Sequence, residues 1–165
     1  TGLGWSRSAT LGVFGAALAS ARLLELGQDQ TVSALGLAYS QSAGNIQTVI
    51  DGSHAKRYQG GFAAEAGLKA ALLAARGVTG PRNVFEGRCG FFALYESGKV
   101  RKEVATEGLG ETYEGAATSV KPYPCSREHH GAVADAPADS VANLESLRGI
   151  GELQIHVSSP KGVKP

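Results

Sequence analysis

Methionine is absent from the 165 residues, and cysteine (two) and tryptophan (one) are scarce; each shortage narrows the reading. With no Met, and with Thr1 standing at the approach to a helix-forming stretch, the sequence is expected to be an internal piece of a longer protein. Cys89 and Cys125 are far apart and form no CxxC pair. That excludes a disulfide framework by pattern and leads to the expectation of a reduced, cytoplasmic protein. No apolar run approaches the roughly 20 residues that span a bilayer. Thr1–Gly4 does not read as the charged start of a secretory leader. An excess of charge of one sign is also missing: the net charge is +1, so no global field gathers nucleic acid or an anionic membrane. No P-loop, GxSxG or HExxH occurs, and the Gly2/Gly4 pair lacks the third glycine of a dinucleotide fingerprint.

What is present is concentrated in two segments, DGSHAKRYQGGFAA (51–64) and TSVKPYPCSREHH (118–130). Each places cationic side chains beside Gly, Pro or aromatic residues. Lysine and arginine supply charge-assisted hydrogen bonds to carboxylate or phosphate. Gly60, Gly61, Pro122 and Pro124 read as the turn residues that hold the backbone around them. Lys56 and Arg57 are expected in a tight turn ahead of a buried helix, aiming their charge at its N-terminus, where an anion is favoured. The plain alternative for a Lys-Arg pair is a solvated surface. Trp5 and Arg7 read as a stacked cation–π wall or as core plus surface charge. His129 and His130, with His54 or His156, have no zinc-like spacing, and no metal is expected.

The rest of the chain reads mainly as helix. In SATLGVFGAALASARLLELG, Leu11, Phe14, Leu18 and Ala21 recur at helical spacing, and Gly27 suits the C-terminal stop. Gly12, Gly15, Ala16 and Ala19 give small surfaces for close neighbours. Asp29 or Thr31 caps a second helix with Val32, Leu35 and Tyr39 along one stripe. After Gly61 the stretch FAAEAGLKAALLAARG is the clearest helix, closing at Gly77; its Ala/Leu composition implies burial on more than one side. NVFEGRCGFFALYE reads as a short helix plus a packed loop. The charged, Gly-rich stretch from Gly98 to Gly115 reads as a surface connection, and Leu153–Val157 as a half-buried strand. The expected organisation is part of an all-helical domain over 1–97, a linker over 98–117, and the beginning of a smaller α+β lid domain over 118–165.

Four stretches, GWSRSATLGVFGAALASARLL (4–24), AKRYQGGFAAEAGLKAALLA (55–74), GPRNVFEGRCGFF (80–92) and VKPYPCSREHH (120–130), resemble the MmgE/PrpD family in order and spacing. The family includes 2-methylcitrate dehydratase, cis-aconitate decarboxylase and iminodisuccinate epimerase. The resemblance implies a large helical domain with a smaller α+β lid, a homodimer when full length, and an active site between the domains. It implies action on a small carboxylate without a cofactor, with no nucleic acid or membrane as partner. A hydro-lyase acting on a 2-methylcitrate-like substrate is the leading expectation. An epimerase or decarboxylase of the same family is the alternative, and a non-catalytic carboxylate-binding or structural fragment is the alternative of another class. Lys56 and Lys121 match the family's pocket lysines and His130 the histidine ending the KPYP segment, so these three are the expected catalytic residues. Arg57, Arg7, Ser6, Ser8 and Gln59 form the expected substrate-binding set. Ser6 and Gln59 stand where many members carry His, so neither position carries over a general base.

Overall fold

The computed structural model describes residues 4–123, 125 and 127–134, and the chain divides into two compact units, Thr1–Ala105 and Thr106–Pro165. The first unit is mainly helical: α1 (Arg7–Leu23), α2 (Gln28–Tyr39), the single turn α3 (Gln47–Ile50), α4 (Ala55–Ala75) and α5 (Phe91–Tyr95). The second unit contains 3₁₀ turns at Glu114–Ala117 and Arg127–His129, running into the short α6 (His130–Ala134). The strand expected at Leu153–Val157, and most of the stretch expected to form the α+β lid, lie outside the described residues.

Alanine and glycine, rather than leucine, make the seams of the first unit. The buried stripe of α1 is Ala9, Thr10, Val13, Phe14, Ala17 and Ala21, while the expected core residues Leu11 and Leu18 are each 45% exposed. On α4 the buried residues are Ala63, Gly67, Ala70, Ala71 and Ala74, and Leu68 and Leu72 face outward. The reason is distance. Gly12 comes against Ala63 and Ala16 against Gly67, so the two backbones meet where side chains are smallest. These pairs advance together along both helices, so α1 and α4 run parallel. Between them in sequence, α2 runs antiparallel to α4: Leu26 and Ala34 pack with Ala71 and Ala74, and Ala38 with Ala63 and Ala70. The loop after α4 is locked onto α2 by two glycines, since a Cβ on Gly36 would strike Pro81 and one on Gly80 would strike the Gly36–Leu37 backbone.

Three helix boundaries differ from the sequence reading; one is the start of α2, where Gly27 and not Asp29 or Thr31 is the N-cap. Helix α1 stops through Glu25, not Gly27. Glu25 takes φ +54, the Leu26 N–H donates to the Ala21 carbonyl (3.0 Å) and the Glu25 N–H to Arg22 (3.2 Å). This is the paired C-terminal closure in which glycine is the usual occupant. Gly27 instead precedes α2, with its N–H donating to the Gln30 side chain at 3.3 Å. Helix α4 starts at Ala55, so Gly60 and Gly61 lie inside the helix and are not turn residues. Its end at Gly77 (φ +85) follows the expectation.

A Cβ at Gly60 or Gly61 would meet nothing within 4 Å. A mid-helix glycine costs conformational entropy with no packing in return at these positions. Gly61→Ala is therefore expected to stabilise the protein by about 0.5–1 kcal/mol. A rise in the urea midpoint at unchanged slope is the measurement that checks it.

Candidate functional site

Because α1 and α4 are parallel, their N-termini lie at the same end of the helical unit, and most of the singled-out residues lie there. The backbone before α1 is held by a short antiparallel pairing. The Ser6 N–H donates to the Gly44 carbonyl (3.2 Å), the Ile46 N–H donates to the Gly4 carbonyl (2.9 Å), and Trp5 stands opposite Asn45. Gly44 is needed for this approach: it has φ +122, and a Cβ there would collide with that of Ala9. Ser6 then caps α1 with its carbonyl, which accepts from the Ala9 and Thr10 N–H groups (3.0 and 2.9 Å) and from the Thr10 hydroxyl (3.1 Å). The Ser6 hydroxyl makes no capping bond, although serine at this position usually does so.

An aromatic stack fixes the same segment from the side. Trp5 packs on Tyr95 with centroids 4.8 Å apart, and Tyr95 lies parallel to the buried Phe91 at 4.7 Å. The Tyr95 hydroxyl donates to the Ser42 carbonyl (2.7 Å), and the buried Ser42 hydroxyl donates to the Thr10 carbonyl (2.9 Å). Trp5 is half-buried and belongs to the aromatic stack rather than to the buried core, and Arg7 pairs with Glu96 at 3.0 Å. Tyr39 completes the aromatic group, donating to the Cys89 carbonyl at 2.7 Å. Burial, with smaller contributions from Tyr95 and Cys89 nearby, raises its phenol above the ordinary tyrosine range, so this hydrogen bond survives to alkaline pH.

The start of α4 faces the other side of the pairing. Ser53 accepts the first helical N–H groups, that of Ala55 at its hydroxyl (3.2 Å) and that of Lys56 at its carbonyl (3.2 Å), and His54 accepts that of Arg57 (3.0 Å). The expectation that Lys56 and Arg57 precede the helix is thus corrected: they lie in its first turn. The backbone donors there are already taken, so charge attraction at this end comes from side chains and the helix dipole. Lys56 and Arg57 are exposed and form no ion pair among the described residues. One turn on, the Gln59 amide nitrogen donates to the Asn45 carbonyl (2.8 Å) and lies 3.2 Å from the Thr48 hydroxyl. Ser6, Arg7, Ser8, Lys56, Arg57 and Gln59 are therefore grouped at one end of the unit by two helix starts and the 44–48 segment between them. That arrangement suits an anion: Arg7 is held by Glu96, but Lys56 and Arg57 form no ion pair among the described residues, and two helix dipole ends lie beside them.

In the second unit Lys121 is exposed, and His130 is half-buried at the start of α6. The His130 ring meets Tyr123 edge-on at 5.6 Å, and its Nε2 is buried with no hydrogen-bond partner among the described residues. Arg127 reaches back to the Ser119 hydroxyl and carbonyl. Among the described residues no group of three or more His, Cys, Asp or Glu side chains is placed to hold a metal ion, and no helix is long and apolar enough to cross a membrane. Asn45, Thr48, Tyr95 and Glu96 were not singled out from the sequence. Their parts depend on main-chain pairing and on contacts far along the chain, which leave no local spacing to read.

Comparison with known proteins gives the same direction as the four stretches. The family model described as MmgE/PrpD N-terminal domain matches residues 1–103. The chain is 35% identical over 136 residues to the cis-aconitate decarboxylase-like protein oryM of Aspergillus oryzae, covering 79% of this chain and 28% of that protein. It is 33% identical over 148 residues to a cis-aconitate decarboxylase of Aspergillus terreus, covering 86% of this chain and 29% of that protein. The chain thus spans under a third of the length of these curated relatives.

Proposed function

The chain belongs to the MmgE/PrpD family, and from that premise we propose that it forms part of a lyase acting on a small di- or tricarboxylate by decarboxylation of a cis-aconitate-like substrate. The single observation that carries the proposal is the shared end of α1 and α4, where the first turn of α1 carries Arg7 and Ser8 behind the N-cap Ser6 and the first turn of α4 carries Lys56 and Arg57. The names of the relatives favour decarboxylation over the 2-methylcitrate dehydration expected from the sequence. An enzyme of this kind works without an organic cofactor, as a cytoplasmic homodimer.

In the proposed reaction the C–C bond to one carboxylate breaks and carbon dioxide leaves. The electron pair remains on the substrate carbon skeleton, where a proton from a side chain takes it up. Lys56, Arg57 and Arg7 hold the remaining carboxylates, and fixed cations stabilise the charge that develops. By the family resemblance, Lys121 is proposed as a further catalytic lysine and His130 as a proton donor. Among the described residues the buried His130 Nε2 has no hydrogen-bond partner, which supports giving it the proton-transfer role.

The test is incubation of the intact protein with cis-aconitate, 2-methylcitrate and iminodisuccinate in deuterated water. Release of carbon dioxide from cis-aconitate with one deuterium in the product is the expected result. Loss of water from 2-methylcitrate would replace decarboxylation by hydro-lyase chemistry. Deuterium at the α-carbon of iminodisuccinate without bond loss would indicate an epimerase. Binding without turnover of any of the three would remove the enzyme reading altogether.

A further inference from the structure

We infer that Gln59 is a positioning residue, whose amide holds the first turn of α4, and with it Lys56, in register with the segment that carries Ser6 and Arg7. The catalytic consequence rests on the lyase reading; the structural part does not.

The argument begins with donors and acceptors. A glutamine amide nitrogen has two protons. Here it has two acceptors, the Asn45 carbonyl at 2.8 Å and the Thr48 hydroxyl at 3.2 Å, so its donor capacity is used within the protein. Asn45 is the residue that stands opposite Trp5, between the two hydrogen bonds that hold Gly4–Ser6 to Gly44–Ile46. Gln59 is thus the side chain that joins α4 to that pairing. Lys56 lies three positions earlier on α4, one turn away and on the neighbouring face. Its flexible stem gives it reach but no fixed location. Its geometry relative to Ser6 and Arg7 is set by where the turn beneath it is anchored. A second tie runs through Ser53, whose N–H donates to the Thr48 carbonyl (2.9 Å); it reaches the Asn45 carbonyl only through the Thr48 hydroxyl (3.2 Å), whereas Gln59 bonds that carbonyl directly from α4.

Two substitutions in the intact protein separate this role from direct substrate contact. Gln59→Glu keeps the shape but removes both donors and sets a carboxylate against the Asn45 carbonyl. Gln59→His keeps one ring N–H donor. Two readouts are taken. Hydrogen exchange at the Ser6 and Ile46 amides, the donors of the pairing, is expected to speed up about tenfold in Gln59→Glu, with the α1–α4 seam unchanged and Gln59→His closer to wild type. Turnover of the tricarboxylate is expected to fall about 100-fold in kcat in Gln59→Glu, as displacement of a reacting group by an ångström does, with KM little changed and partial recovery in Gln59→His. Unchanged exchange at both amides in Gln59→Glu overturns the inference, and so does a raised KM at unaltered kcat, which would make Gln59 a substrate ligand. If the wild-type protein turns over none of the carboxylates, the lyase reading falls and the exchange result alone decides whether Gln59 anchors the pairing.

Discussion

Lys56→Ala is expected to lower turnover of the tricarboxylate about 1,000-fold, the loss seen when one fixed stabilising group is removed from a developing negative charge. The side chain is exposed and forms no ion pair among the described residues, so its removal leaves the helix without a structural debt. The far-ultraviolet circular dichroism and thermal midpoint of the variant should match wild type. Lys121→Ala is expected to act in the same direction and by a similar factor. Lys56→Arg sorts charge from proton transfer. It keeps the cation but cannot release a proton near neutral pH, so substantial recovery assigns Lys56 to carboxylate binding, and no recovery assigns it to moving the proton. Near-normal kcat in Lys56→Ala would sink the assignment of this end as the active site, whatever its charge.

The largest expected effect on stability is at Gly67. A Cβ built there would lie 2.7 Å from the Val13 carbonyl oxygen and 2.7 Å from the Ala17 nitrogen, both main-chain atoms of α1. A flexible side chain can move aside; a helix backbone cannot without lifting the whole seam. Gly67→Ala is therefore expected to destabilise by about 3 kcal/mol, the upper part of the overpacking range, although alanine is the better helix former. Equilibrium urea unfolding checks it. The contrast with Gly61→Ala on the same helix, expected to stabilise, is the sharper form of the prediction: one residue type, one helix, opposite signs. A Gly67→Ala midpoint equal to wild type would mean that α1 and α4 are not in contact there.

The helical character and the residues grouped at the site were legible in the sequence, but the faces and the starts were not. Composition marked α1, α2 and α4 correctly because Ala, Leu and their spacing favour helix whatever the neighbours are. It found Phe14 and Ala21 on the buried side of α1 but placed Leu11 and Leu18 there too, because hydrophobic periodicity counts leucine above Ala17. A seam built on close approach buries the small residues instead. It placed the start of α4 after Gly61, because two adjacent glycines discourage helix locally. The bonds from Ser53 and the packing of Ala63 and Gly67 outweigh that cost. Lys56 and Arg57 stood out by their context and Arg7 by its place beside Trp5, while Ser6 and Gln59 entered only through the family resemblance; α1 and α4 bring these helix starts to one end. Asn45 left no mark, since it acts through its carbonyl, and every residue has one.

The parallel course of α1 and α4 has a kinetic consequence. Gly12 and Ala63, like Ala16 and Gly67, are 51 positions apart, with a whole antiparallel helix between them. Contacts of that span carry a loop-closure cost that slows the formation of this seam. The contact of α1 with α2, across the short connection from Leu23 to Gln28, is far more local. The anion-attracting end exists only once both helix starts are side by side, so its assembly is tied to closure of the long loop and not to the local pairing of α1 with α2.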